Sequence, residues 1–200
     1  MKTGKNWDYQ WNKINIETPY HMPWESNEPD LSLVNFINKN KIQTAIDVGC
    51  ALGTNANWMQ NQGIETDAID VSPKIISYAK EKFKDVNFMI GDFLYNPIIQ
   101  TNYYDLVFDR GCFHGFDNRE ESFSFVNRVS QILSPQGKWL SIIGADRGLK
   151  IKNSPPIKKA SEIISIVEPV MEIVSLESCF IKMFDGYCFP AWALIAQNML

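Results

Sequence analysis

The chain has 200 residues, of which 45% are hydrophobic and 21% charged, and a formal net charge of -4. That length fits a single domain with room for a core, and the composition excludes disordered and fibrous classes. The acid excess leaves no basic surface for tracking phosphates, so nucleic acid is not an expected partner. No stretch reaches the roughly 18 consecutive apolar residues of a membrane span, and the basic start of the chain has no apolar run behind it to make a secretory signal.

Taken in order, residues 1–29 set Trp7, Tyr9, Trp11, Tyr20 and Trp24 among Pro19, Pro23 and Pro29 with no sustained period. They read as a loop-rich, aromatic lid ahead of a domain spanning 30–200. Leu31 to Ile37 has apolar residues at helical spacing, with Asp30 as a cap. Thr44 to Val48 is a short apolar strand, and Asn55 to Asn61 follows as a crossover helix. Ile64 to Val71 is a second strand. Ser72 then caps a helix from Pro73 to Lys84, which keeps the strand-end carboxylate of Asp70 available for a ligand. Val86 to Phe93 is the third strand and Tyr103 to Asp109 the fourth. Asn118 to Leu133 is a helix with Glu120 and Glu121 early, where its dipole favours them. Ser134-Pro135-Gln136-Gly137 turns the chain into a fifth strand, Lys138 to Gly144. Asp146 to Pro156 is a loop at the carboxyl end of that strand, Ala160 to Val167 a helix, and Met171 to Phe180 and Pro190 to Gln197 close the sheet as a hairpin. Lys150, Lys152, Lys158 and Lys159 read as a solvated face.

Strand and helix alternating in this rhythm imply parallel strands joined by right-handed crossovers, hence a doubly wound α/β sheet. Ligands in such sheets bind outside the carboxyl ends of the strands, and Asp47, Asp70 and Asp92 all fall there. The turn Asp47-Val48-Gly49-Cys50-Ala51-Leu52-Gly53-Thr54-Asn55 lets a ligand come close to the backbone, because glycine has no Cβ to hold it off. A carboxylate beside that turn would repel a pyrophosphate, so a zwitterionic cofactor with a cationic end suits it better than a dinucleotide.

Asp47-x-Gly49-x-Ala51-x-Gly53 resembles the first motif of the class I S-adenosylmethionine (SAM)-dependent methyltransferases, with Ala51 where their pattern has a glycine. The resemblance runs from about Tyr20 onward and implies a mostly parallel seven-stranded sheet with one antiparallel strand. It implies Asp70, with Val71 and Ser72, at the ribose hydroxyls, Asp92 at the adenine amino group and Phe93 on the ring, with Gly49, Cys50, Ala51, Gly53 and Asn55 lining the cofactor. His21-Met22-Pro23-Trp24 resembles the Pro-Trp of thiopurine- and tellurite-type methyltransferases, where an indole near a sulfonium gains cation–π attraction. Phe108-Asp109-Arg110-Gly111-Cys112-Phe113-His114 is similar to the fourth motif of that group. It implies Arg110 near the acceptor, Asp109, Cys112 and Phe113 along the cofactor, and His114 as a proton acceptor. Beside each stands a structural reading: Asp109 with Arg110 as a pair, Cys112 and Trp24 as core residues, His114 as hydrogen-bonded structure.

The expected function is methyl transfer from SAM to a small-molecule acceptor, a thiol or another soft chalcogen, since a thiol with a pKa of roughly 8.5 needs little help to ionise. An oxygen or nitrogen acceptor is the alternative, followed by an NAD-dependent oxidoreductase and a non-catalytic SAM-fold partner module. Cys50, Cys112, Cys179 and Cys188 show no CxxC spacing and His21 and His114 are the only histidines, so reduced thiols, a cytoplasmic setting and no metal site are expected. The oligomeric state is left open.

Overall fold

A computed structural model describes residues 26–116, 118–146, 157–182, 186 and 188–199. Residues 1–25 of the expected lid, Trp24 included, and all but Asp146 of the loop expected over Asp146–Pro156 lie outside these residues. The described elements, in chain order, are α1 (Leu31–Ile37), β1 (Thr44–Val48), α2 (Thr54–Asn61), β2 (Glu65–Asp70), α3 (Pro73–Lys82), β3 (Asn87–Ile90), β4 (Tyr104–Arg110), a 3₁₀ turn (Phe113–Gly115), α4 (Arg119–Ile132), β5 (Leu133–Gly144), α5 (Ala160–Val167), β6 (Met171–Lys182) and β7 (Cys188–Asn198). None of the described helices is long and apolar enough to cross a membrane.

The seven strands form one sheet in the order β3-β2-β1-β4-β5-β7-β6. Strands β1 to β5 pair in parallel, and β7 runs antiparallel to both β5 and β6. The chain winds outward from β1 through β2 to β3, then returns to the other side of β1 with β4. At that reversal the connections leave β1 and β4 in opposite directions, which opens a crevice at their carboxyl ends. Alternate side chains of each central strand go to opposite faces, and both faces are buried. Ala45, Leu106, Phe108 and Leu140 pack with Leu33 and Phe36 of α1 and Met59 of α2. Ile46, Val48, Val107 and Trp139 pack with Phe125, Val126 and Val129 of α4 and Ile163 and Ile166 of α5.

Two boundaries differ from the sequence expectation. The turn expected at Ser134–Gly137 is an irregularity within β5: Tyr104 pairs with Leu133 and Leu106 with Lys138, so residues 134–137 bow out opposite Asp105. Ser134 Oγ donates to Asp105 Oδ1 at 3.1 Å, and a Cβ on Gly137 would lie 2.5 Å from the Tyr104 carbonyl oxygen, so glycine is required there. Helix α4 therefore passes into β5 without a separate loop. The closing strands also extend further than expected, to Lys182 and from Cys188, because antiparallel pairing runs from Met171–Asn198 to Lys182–Cys188 with one irregularity between Ile173 and Ser175.

The cap expected at Asp30 is present: its Oδ1 accepts the Ser32 N–H at 2.9 Å, while its Oδ2 receives Arg110 Nε at 3.1 Å. The two side chains are 5% and 13% exposed. Asp30→Ala therefore removes a cap worth about 1 kcal/mol and strands a mostly buried guanidinium contact worth about 1–3 kcal/mol. A loss of about 2–4 kcal/mol in urea unfolding is expected.

Candidate active site at the strand ends

Four carboxylates occupy the carboxyl ends of four adjacent strands, and the turns that follow are shaped to bond them. After β1 the backbone turns through Gly49 at φ 72° and Gly53 at φ 79°. The Gly49 and Cys50 N–H groups both donate to the Ile69 carbonyl, at 2.8 and 3.1 Å, which sets the turn against β2. A Cβ at Gly49 would lie 3.1 Å from Cys112 Cβ, and one at Gly53 would run into the Phe88 ring at 2.6 Å. Ala51 adopts φ 47°, a left-handed conformation that glycine takes without cost.

Asp70 joins this turn to the next. Its Oδ2 accepts the Ala51 N–H at 3.2 Å and its Oδ1 the Ser72 N–H at 3.0 Å. Ser72 does hold the N-cap position of α3, but its side chain makes no capping bond. Asp70 is therefore engaged by two backbone donors, and each of its oxygens keeps lone-pair capacity beyond the one bond named. Burial pushes the Asp70 carboxyl up, against the lowering effect of the Ser72, Ala51 and Val71 amides. Asp47 is buried at the end of β1, and Val71 is half-buried beside Asp70. Asp92 Oδ1 accepts the Leu94 N–H at 3.0 Å.

Asp109, at the end of β4, is fully buried. Its Oδ1 accepts the N–H groups of Cys112 and Phe113 at 3.2 and 2.9 Å, and its Oδ2 accepts Trp139 Nε1–H at 2.9 Å. Burial raises its carboxyl to about 6 despite these donors. The Cys112 thiol reports on the whole group: burial pushes it well above its usual range, and the carboxylates of Asp109, Asp70, Asp92 and Asp47 push it further in the same direction. The four acids thus all lie within electrostatic reach of the Cys112 side chain.

Several expected ligand contacts are committed within the protein. Arg110 bonds Asp30 Oδ2 through Nε and the Lys182 carbonyl through an Nη at 3.0 Å, so its described contacts run to the domain's own rim rather than to an acceptor. It does not pair with Asp109. Asn55 Oδ1 accepts the Asp30 N–H at 2.9 Å, which couples the start of α2 to the same rim. Phe93 is buried with its ring 5.0 Å from that of Phe125, in the core rather than over a ligand site. Cys50 is buried and packs among Ala56, Ala68 and Ile76. His114 is buried, and its Nδ1 accepts the Gly144 N–H at 2.8 Å. An acceptor nitrogen so engaged holds the neutral ring's proton on Nε2 and occupies the Nδ1 lone pair within the protein.

Two residues that anchor the segments around the site were missed in the sequence. Asp30 was visible as a cap but not as the partner of Arg110, 80 positions away. Lys158, expected on a solvated face, is buried with Nζ 2.9 Å from the Phe116 carbonyl oxygen and 5.5 Å from the Phe113 ring centroid. Nothing in its immediate sequence separates it from Lys159, which is exposed.

The methyltransferase domain family matches residues 46–140, nearly half of the chain. Among curated relatives, the malonyl-[acyl-carrier protein] O-methyltransferase 1 of Ilyobacter polytropus is 27% identical over 146 residues, covering 66% of this chain and 52% of that protein. The chain spans about half the length of the curated relatives it matches. Among solved structures, one describing the conversion of a disulfide bond into a thioacetal group during echinomycin biosynthesis aligns with a TM-score of 0.76 at 18% identity, over 88% of this chain and 85% of that one. A TehB-like SAM-dependent methyltransferase from Corynebacterium glutamicum aligns with a TM-score of 0.66 at 18% identity, over 97% of each chain. At these identities the structural likeness is one of fold: a Rossmann-like, seven-stranded methyltransferase fold.

Two outcomes follow from the geometry. Ala51→Gly relieves a left-handed alanine worth about 1–2 kcal/mol but adds freedom to the unfolded chain, so a net gain of about 0.5 kcal/mol in urea unfolding is expected. For Asp109, the folded carboxyl at about 6 lies above its unfolded value, so its contribution is fully present below about pH 4 and is lost as the pH rises through about 6. The unfolding free energy of wild type relative to Asp109→Asn should accordingly shrink between pH 4 and pH 7.

Proposed function

We propose that this chain is a SAM-dependent methyltransferase acting on a small-molecule acceptor, with a thiol or another soft chalcogen nucleophile as the acceptor class. The observation that carries this reading is the placement of Asp47, Asp70, Asp92 and Asp109 at the carboxyl ends of four adjacent strands, beside the glycine turn after β1. Acids so placed suit a cofactor with ammonium and sulfonium charges and oppose a pyrophosphate, which argues against the NAD-dependent alternative. The glycines of that turn are required by the protein's own packing, since a Cβ at Gly49 would meet Cys112 and one at Gly53 the Phe88 ring.

In this reading Gly49, Cys50, Ala51 and Gly53 form the floor of the cofactor site. Asp47 faces its cationic end, Asp70 with Val71 and Ser72 its ribose hydroxyls, and Asp92 its adenine amino group. Trp24 stands as an indole wall for the sulfonium. SAM, when bound, supplies an electrophilic methyl group, so the chain's own tasks are to orient a nucleophile, exclude water and accommodate the acceptor's proton. Cys112 keeps its proton at neutral pH and acts as an apolar wall rather than a nucleophile. Asp109 orients that wall by fixing the Cys112 and Phe113 amides. Phe93 and Asn55 support the site from behind, through the Phe125 ring and the Asp30 backbone. Arg110 holds the rim.

The soft-acceptor class is favoured because His114 presents no ring nitrogen lone pair for a proton, while a thiol ionises with little assistance. The sulfur chemistry named for the echinomycin-pathway structure, on a fold of TM-score 0.76, points the same way. The Ilyobacter relative, named as an O-methyltransferase, favours oxygen as the second reading.

A SAM-consumption assay against small thiols, tellurite, selenite, thiopurines and phenols tests the acceptor class; turnover of phenols with none of the chalcogens would reverse the choice. Calorimetry tests the cofactor: Asp70→Ala should bind SAM at least tenfold more weakly while unfolding with an unchanged urea slope. Tight NADH binding without SAM binding would reverse the reading. Because burial raises Asp70 and Asp109 and a bound cation favours their ionised forms, SAM binding should release protons and tighten from pH 5 to pH 7, as read from buffer-dependent binding enthalpies.

A further inference from the structure

The segment after β4 is fastened to the end of β5 through one residue. Gly144 donates its N–H to His114 Nδ1 at 2.8 Å, and its carbonyl accepts the Lys158 N–H, also at 2.8 Å. Lys158 then returns to the same segment: its Nζ donates to the Phe116 carbonyl at 2.9 Å and stands 5.5 Å from the Phe113 ring centroid. Its own carbonyl accepts the Asp146 N–H at 3.0 Å and Trp192 Nε1–H at 3.2 Å. On the opposite edge of the imidazole lies Gly111, at φ 89°, where a Cβ would sit 3.1 Å from Nε2. The ring is thus held between two glycines, one by a hydrogen bond and one by close packing. A backbone N–H can only donate, so Nδ1 must accept, and the neutral ring carries its proton on Nε2.

From this geometry we infer that His114 is a positioning residue that works as a hydrogen-bond acceptor, and that with Lys158 it locks residues 113–116 to β5 so that the acceptor side of the cleft stays in register with the four strand-end carboxylates. The inference rests on the methyltransferase reading for what the lock serves, but the lock itself is a property of Gly144, His114 and Lys158. A lysine ammonium that donates to a backbone carbonyl inside the protein restrains that carbonyl with a charge-assisted bond, stronger than a neutral one. Within the turn, Gly115 N–H bonds the Cys112 carbonyl and Phe116 N–H the Phe113 carbonyl; Asp109 and Ser122 anchor it from β4 and α4, and His114 with Lys158 from the β5 side.

The test separates an acceptor from a base. Nitrogen-15 NMR of the imidazole, with His114 identified by comparison with His114→Asn, should show an unprotonated Nδ1 and a protonated Nε2. Asparagine places Oδ1 close to the position of Nδ1 and can accept from Gly144, whereas leucine cannot. Hydrogen exchange at the Gly144 amide should be at least tenfold faster in His114→Leu than in wild type or His114→Asn, and thiophenol methylation should separate the two variants by at least tenfold, the asparagine being faster. Lys158→Met should speed exchange at Gly115 and Phe116 without changing the SAM dissociation constant by more than about twofold. An Nδ1–H tautomer, or asparagine and leucine variants equal in both exchange and turnover, would overturn the inference. Calorimetry of wild type with SAM is read separately: failure to bind overturns the methyltransferase reading, whereas the tautomer and the exchange ratios judge the lock.

Discussion

Burial of acidic side chains is the constraint on which this structure turns. Asp47, Asp70 and Asp109 are buried at neighbouring strand ends, and burial adds a solvation cost to each. The fold offsets this for three acids by aiming backbone N–H groups at the carboxylate, from the turn that follows it or, for Asp70, also from the turn after β1. Asp70 receives Ala51 and Ser72, Asp92 receives Leu94, and Asp109 receives Cys112 and Phe113. The turns are therefore as much a product of the acids as the acids are ornaments of the turns. The residual cost is legible in the upward displacement of Asp70 and Asp109, and a cation placed among them would relieve it. The same side chains staple the sheet's carboxyl edge and prepare it for a positively charged guest.

A second network closes the rim. Arg110 reaches from the end of β4 to Asp30 at the start of α1 and to the last residue of β6, while Asn55 holds the Asp30 backbone. Lys182 adds an exposed pair with Glu28 at 2.8 Å, a contact worth little in water. Residues that a motif reader assigns to ligands are here used to fasten α1 across the crevice. Their effect on a reaction would pass through that fastening.

How far the sequence disclosed this follows from the range of each interaction. The alternation of strands and helices, the cap at Asp30 and the acids at strand ends depend on local spacing, and each element falls within a few residues of its expected bounds. The excursion at residues 134–137 was seen as a turn because its Pro and Gly are local signals, but only the pairing of Tyr104 with Leu133 shows that the strand resumes around it. Arg110 with Asp30, His114 with Gly144 and Lys158 with Phe116 span 80, 30 and 42 positions. No periodicity encodes contacts of that kind, so the arginine was read from the motif resemblance and the histidine from chemical character, and the buried lysine was taken for a solvated one like the exposed Lys159.

The strand order has a bearing on how the molecule is made. β7 is the last of the seven strands to be synthesised, yet it lies between β5 and β6. Until it emerges from the ribosome, the long apolar margin of β5 has no neighbour, and β6 has nothing to pair with on that side. A nascent chain carrying everything through β6 would hold a five-stranded half-product with an open, sticky border, so final closure waits on a late insertion rather than on stepwise addition at the periphery.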